Sequence, residues 1–490
     1  QCLVGSEMCI RDRNSYGSIL RGISLFGGVQ VFQILINLVR GKFVAMFLGA
    51  DGMGISSIFT NSFNTIVRGS SLGLNLAIVR EAAERREEVG RMKELLAVVG
   101  RLITLTALGG ALLCVLFSGL LSRLSFGSDD YAWQFILLAV AVYFSVSGAG
   151  KLSLLQGMHE VKRVAGASLV GALTGLCAGV PLYYFWGAKG IVPAIVILSV
   201  ATYIFYSFNL RRAVKIPKPE IRLKDHKPLI KKLVCLGLVL LSGDLIGSVC
   251  NYAINIYLRV FGDFDTVGFY QAANSLTNQY AGMVFTAMSL DYFPRLAASI
   301  GDNSRMTGIV NRQMEVVAIV MAPIACIVIT TAPIIINVLL TESFQSISPL
   351  MRWMGPGIVF RALHYPMGYI AFAKDNRRLF FWMEAVLENA LFLIGVILFY
   401  HFFGFIGLGY AFIVDNILTF IIYAIVNHKV YGYTINNKAL LHGLICVSLT
   451  VACFSSSLIG HNLLSLSLMI SFSLIALIYS LLTIRSRLKK

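Results

Sequence analysis

Six basic side chains lie inside or at the ends of long apolar runs: Arg40, Lys42, Arg68, Arg259, Arg352 and Arg361. A cation at bilayer depth is costly and normally faces a water-filled cavity or a partner group. Guanidinium and ammonium groups brought together bind phosphate through charge-assisted hydrogen bonds. The chemistry this set points to is capture of a diphosphate or another anionic head group. Depth separates the six. Arg68 lies ~24 Å and Arg40 ~15 Å along the helix from a glycine turn, Gly49 to Gly54, so neither is at that surface. Arg361 stands about thirteen residues from each end of its run, near mid-depth. Lys42, Arg259 and Arg352 are nearer to run ends, where snorkelling to the interface competes with a binding role. Arg40 and Lys42 are two residues apart and point to different helix faces.

Acidic groups within the runs are few: Asp244, Asp291, Glu384, Glu388 and Asp415. Intramembrane carboxylates relay protons or bind coupling ions. Asp244 and Asp415 are the first choices for such coupling, followed by Glu388. His364 stands one turn beyond Arg361, either as a proton carrier or as a packing residue. Asp291 can pair with Arg295, and Glu384 lies toward an interface. Amides such as Asn255, Gln271, Asn274 and Asn278 can hydrogen-bond sugar or join helices. No catalytic constellation is present, and no G-x-x-x-x-G-K-[ST] phosphate loop. No catalytic residue, cofactor or metal is therefore expected. The nine cysteines form no C-x-x-C pair and read as small hydrophobes.

The elements that must position these groups follow from composition. Of 490 residues, 57% are hydrophobic and 13% charged, with mean hydropathy +0.77. Soluble domains carry about 25% charged residues. Apolar runs of ~20 residues recur to the C-terminus without strand alternation, so the fold expected is an all-α integral membrane protein. About fourteen transmembrane helices fit the runs. The net charge of +17 sits in alternate loops, which signals orientation rather than nucleic-acid binding. It places both termini in the cytoplasm. Residues 1–13 resemble translated adapter sequence and read as non-native. An N-lobe of six helices is expected over 14–212. A basic cytoplasmic linker follows over 213–232, holding Pro217, Pro219 and Pro228. A C-lobe is expected over 233–428, and two extra helices with a basic tail over 429–490. The turn F-L-G-A-D-G-M-G-I-S-S-I-F-T-N (Phe47–Asn61) resembles V-F-G-D-F-D-T-V-G-F-Y-Q-A-A-N (Val260–Asn274), pairing Gly54 with Gly268. Such a parallel repeat relates two six-helix halves.

Four stretches carry a resemblance to a family. They are G-K-F-V-A-M-F-L-G-A-D-G-M-G-I (Gly41–Ile55), G-F-Y-Q-A-A-N-S-L-T-N-Q-Y (Gly268–Tyr280), D-Y-F-P-R-L (Asp291–Leu296) and F-A-K-D-N-R-R-L-F-F-W-M-E (Phe372–Glu384). Together they resemble bacterial polysaccharide transporters of the multidrug/oligosaccharidyl-lipid/polysaccharide superfamily, nearest the O-antigen translocases. The resemblance implies two lobes around a central cavity and a flippase for undecaprenyl-diphosphate-linked oligosaccharide in the bacterial inner membrane. It implies alternating access driven by H+ or Na+. A monomer surrounded by membrane lipid is expected. Lys42 and Arg361 fall where relatives tend to carry a cation. Arg68 does not match a shared position, and fourteen helices exceed the commoner twelve. A multidrug exporter of the same superfamily is the alternative. It would want a cavity dominated by acids, because its substrates are usually cationic. A membrane enzyme of polysaccharide assembly would want a larger outward loop than any found here.

Overall fold

The computed structural model describes residues 2–85, 88–158, 160–214, 226–459 and 462–488. The side chains of 2–31 and of Asp291 lie outside the described residues, as does most of the expected linker 213–232.

Among the described residues the chain is helical and contains no strand. The helices are α1 (Cys2–Ser71), α2 (Leu74–Glu84), α3 (Val89–Leu116), α4 (Ser118–Phe126), α5 (Ala132–Gly157), α6 (Val161–Trp186), α7 (Ile191–Ala213) and α8 (Lys227–Phe261). They continue with α9 (Phe264–Ala297), α10 (Asn303–Leu339), α11 (Ser348–Ala373), α12 (Arg377–Phe380), α13 (Glu388–Phe403), α14 (Gly407–Tyr431), α15 (Asn437–Ser456) and α16 (Asn462–Leu488). Eight stretches among the described residues are long and apolar enough to cross a membrane; 163–213 contains α6 and α7, and 377–431 contains α12, α13 and α14. The exterior is apolar: Leu463 is 85% exposed and Phe185 76%. A bilayer accepts that surface because the helices satisfy their own backbone groups. The chain is a multi-pass membrane protein.

The expected loop between the first two helices is a single residue. Within α1 only Gly49 leaves helical geometry, at φ 67 and ψ −166. That backbone region is open essentially to glycine alone, so one residue reverses a chain for which the sequence allotted six. The second helix breaks later, at Leu72 and Gly73, both with positive φ, and resumes as α2. The third breaks at Phe117, between α3 and α4.

The chain forms two compact units. Unit 1 comprises 1–48 and 58–245; unit 2 comprises 49–57 and 246–490. In unit 1, Gly73 lies directly on Gly237, with no room for a Cβ on either. A core of Leu74, Ile78, Leu95, Val99 and Leu233 surrounds that crossing. Unit 2 has an analogous crossing: a Cβ on Gly54 would strike the Phe264 carbonyl, and one on Gly268 the Ala50 carbonyl. The two glycines that the repeat pairs by sequence thus meet in space. The extra helices α15 and α16 seat on α10 through Cys326, Ile329, Cys453, Phe454 and Met469.

Candidate functional site

In unit 1, α1 presents Arg40, whose Nη2 donates to Tyr183 Oη at 3.0 Å. Gly175 makes the recess; its missing side chain leaves Arg40 Nη1 3.6 Å from where a Cβ would stand. Tyr183 is buried, so the guanidinium is held against α6 by a fixed hydroxyl. Lys42, two residues on, is half-buried. Arg68, at the far end of α1, is exposed and lies 3.7 Å from Asp244 on α8. The side chains are 49% and 78% exposed. Two groups that the sequence offers separately, one as anion binder and one as coupling acid, therefore form a single open ion pair. An exposed pair of this kind is worth under ~1 kcal/mol and can exchange partners.

In unit 2 the central cation is Arg361. It sits on α11, which is long enough to span a bilayer yet is absent from the eight apolar stretches. Its Nη1 donates to Asn278 Oδ1 at 2.7 Å, and its guanidinium stands 5.7 Å from the Phe285 ring centroid. Asn278 is itself oriented by Asn274, one turn earlier on α9, through a 2.5 Å hydrogen bond between the two side chains. Gln271, also on α9, donates to buried Asn255 on α8 at 2.7 Å. His364 is buried and meets Asn416 Oδ1 on α14 at 3.1 Å. The residue before Asn416, Asp415, is 9% exposed, and its Oδ1 has no hydrogen-bond partner among the described residues. Such an orphaned buried oxygen is costly unless a proton or cation completes it.

Between α12 and α13 the helix widens to π geometry over Phe381–Leu387, a distortion frequent at functional sites. Glu384 lies in that segment, and its carboxylate occupies the space opened by Gly368 on α11. Glu388 begins α13 and is half-buried. Glu388 and Arg361 each lie within electrostatic reach of Glu384, Asp415 and His364. Asp415, Glu388, His364 and Arg361 are thereby brought together as one polar group. Glu384, which the sequence placed at an interface, joins them. Arg352 is not part of it, because nine residues of helix, ~14 Å, separate it from Arg361. Its Nε has no hydrogen-bond partner among the described residues, and Trp353 beside it packs on Phe454 of α15. Arg259 is half-buried near the end of α8. Among the described residues no three His, Cys, Asp or Glu side chains are placed to hold one metal ion.

Two constellations escape a reading of the sequence. Lys151 on α5 lies inside an apolar run and donates to Ser207 on α7 at 2.7 Å. Glu315 on α10 meets His442 Nε2 at 3.3 Å, and His442 Nδ1 meets Tyr479 Oη on α16 at 2.5 Å. The second binds α15 and α16 to α10. A lysine six residues from a run end and a histidine near another look like ordinary interfacial residues. Only the partners on other helices distinguish them. Away from the apolar runs, buried Glu81 is met by Lys232 and by Arg85 at 3.1 Å, and Glu94 by His226 at 2.6 Å. Those contacts fasten the start of α8 to α2 and α3, and Glu81 holds the Lys232 ammonium above its usual pKa.

Comparison with characterised proteins bears on the fold. The fold is similar to that of the lipid II flippase MurJ in an inward closed conformation. That match has a TM-score of 0.73 at 16% identity and covers 95% of this chain and 99% of MurJ. An inward-facing multidrug-resistance MATE transporter of the MOP superfamily matches at TM-score 0.63 and 16% identity, over 87% and 99% of the two chains. A MOP superfamily transporter from Pyrococcus furiosus, described by the reverse polarity of its binding pocket, matches at 0.58 and 14%, over 88% and 96%. At these identities the likeness is one of fold. No curated protein sequence matches the chain. The family model described as polysaccharide biosynthesis protein matches residues 19–299. With more than half of its length inside that model, this chain belongs to the polysaccharide biosynthesis protein family.

Proposed function

We propose that this protein is a flippase for polyprenyl-diphosphate-linked oligosaccharide, the repeat unit of a surface polysaccharide such as O-antigen, in the bacterial cytoplasmic membrane. The observation that carries this reading is Arg361: a guanidinium in the middle of a spanning helix whose hydrogen bond goes to a neutral amide. An amide orients the group without cancelling its charge, which suits it to a phosphate. Family membership in polysaccharide biosynthesis supports the substrate class. In this reading Arg361 and Arg68 hold the diphosphate at successive stages. Arg40 and Lys42 add positive potential, and Arg259 and Arg352 act as outlying cations. The polyprenyl tail stays in lipid, the protein works as a monomer, and both termini are cytoplasmic.

Coupling to H+ or Na+ is assigned to Asp415, Glu388 and His364, with Glu384 beside them. The orphaned Asp415 oxygen is where a proton or cation would sit. Asp244 acts differently, as the resting counter-ion of Arg68. Asp244→Asn should release Arg68 from that pairing and tighten binding of a soluble diphosphate about fivefold, the scale of one exposed ion pair. Isothermal titration with inorganic pyrophosphate checks this; unchanged or weaker binding counts against the exchange.

The carboxylate group in unit 2 also favours a second reading, export of organic cations, in line with the MATE-like fold. The decisive experiment is transport by the purified protein in proteoliposomes, with and without a pH gradient. Movement of a polyprenyl-diphosphate sugar, and none of an organic cation dye, supports the flippase. The opposite pattern supports the exporter.

A further inference from the structure

Unit 1 holds a cation outside the proposed transport machinery. Lys151 stands about six residues before the end of α5, and Ser207 about six before the end of α7, so both lie ~9 Å from those ends. The Lys151 ammonium donates to Ser207 Oγ at 2.7 Å and sits 3.4 Å from the Tyr203 ring centroid. Tyr203, Ser207 and Arg211 are spaced by four and share one face of α7. The adjoining face carries Ile204, Phe208 and Arg212. Ile204 is 59% exposed and Phe208 49%, and the Arg212 guanidinium lies 4.0 Å from the Phe208 ring centroid. Exposed apolar side chains on a spanning helix meet acyl chains. The Lys151 face therefore borders directly on a lipid-facing one.

Charge is concentrated at that border. Arg211 and Arg212 are exposed, one turn nearer the helix end than Ser207 and Phe208. Arg163, at the start of α6, donates to the Asn209 carbonyl at 3.3 Å and pairs with Glu160 at 3.5 Å. The local carboxylate is thus met by its own arginine, and the site is built on Lys151, Arg211 and Arg212. Tyr203 and Phe208 orient two of the three cations by cation–π contact. Orientation in advance reduces the side-chain freedom given up on binding.

We propose that the ends of α5 and α7 form a binding site for the phosphate of an anionic lipid head group that arrives sideways from the bilayer. Basic pockets at helix ends, level with the head groups, take such phosphates. The phosphate has two possible sources. One is the surrounding glycerophospholipid, which would make the site a lipid anchor. The other is a polyprenyl diphosphate, which would make it a loading position for the transported lipid. The lipid anchor is independent of the proposed function, whereas the loading position rests on it.

Native mass spectrometry of the full chain in detergent tests the proposal. The protein is titrated with phosphatidylglycerol, polyprenyl diphosphate or net-neutral phosphatidylcholine. At least one of the first two should be retained on the order of a hundredfold more than phosphatidylcholine, about 1 kcal/mol for each of the three cations. The double substitution R211Q/R212Q should lower that retention about thirtyfold, and R211K/R212K should preserve it. Both arginines are exposed, so the pair can be changed without disturbing packing; Lys151→Gln then tests the deeper contact. Preference between the two anionic lipids assigns the source. Equal retention of phosphatidylcholine, or R211Q/R212Q retention equal to the parent, overturns the proposal.

Discussion

Arg361→Ala should abolish export of surface polysaccharide while the protein still reaches the membrane. The expected size follows from the bond to phosphate that alanine cannot make. A charge-assisted hydrogen bond contributes about 1.5–3 kcal/mol, roughly ten- to a hundredfold in affinity. Arg361 also lies within electrostatic reach of Glu384 and Asp415, so its removal also changes the field at the acids assigned to coupling. Both effects reduce transport, which is why this substitution ranks first. Arg361→Lys should restore part of the activity, because the charge returns without the planar fork. The readout is polysaccharide at the cell surface, normalised to protein in the membrane fraction. Normal export by Arg361→Ala would remove the main support for diphosphate binding at α11.

Gly268→Val should cost about 3 kcal/mol or more in stability. The reason is steric and local. The missing side chain lets α9 lie against the chain at Ala50, and the nearest atom to an added Cβ is a backbone carbonyl. A flexible side chain could turn aside, but a carbonyl in a helix cannot do so without breaking the crossing. Gly54→Val should behave alike, since its Cβ meets the Phe264 carbonyl. Gly41→Ala is the control: nothing lies within 4 Å of that position. Thermal unfolding in detergent, followed by size-exclusion elution, distinguishes the three. A Gly268→Val protein that melts with the parent would contradict the close crossing.

Much of this fold is legible in the residues alone, because a bilayer leaves few alternatives to long apolar helices. That Arg361 and His364 lie in the interior of one long helix follows from their distance to the run ends. The pairing of Gly54 with Gly268 is visible as a repeat, though not as a contact. Other features are hidden for physical reasons. The reversal at Gly49 rests on one backbone angle, which six turn-forming residues mask. Asp244 looks buried because its neighbours in sequence are apolar, yet its side chain is 78% exposed beside Arg68. Lys151 and the Glu315–His442–Tyr479 chain depend on helices far apart in sequence. Hydropathy reports depth along one helix and is silent about which helix lies opposite.

The proposed function requires the cations inside the spanning helices to recognise a lipid diphosphate. Equilibrium binding of polyprenyl diphosphate, polyprenyl monophosphate and uncharged polyprenol to the purified protein measures this directly. The order expected is diphosphate, then monophosphate, then polyprenol, with the diphosphate advantage erased in Arg361→Ala. Equal affinity for all three lipids, or a diphosphate preference that survives the substitution of Arg361, would contradict it.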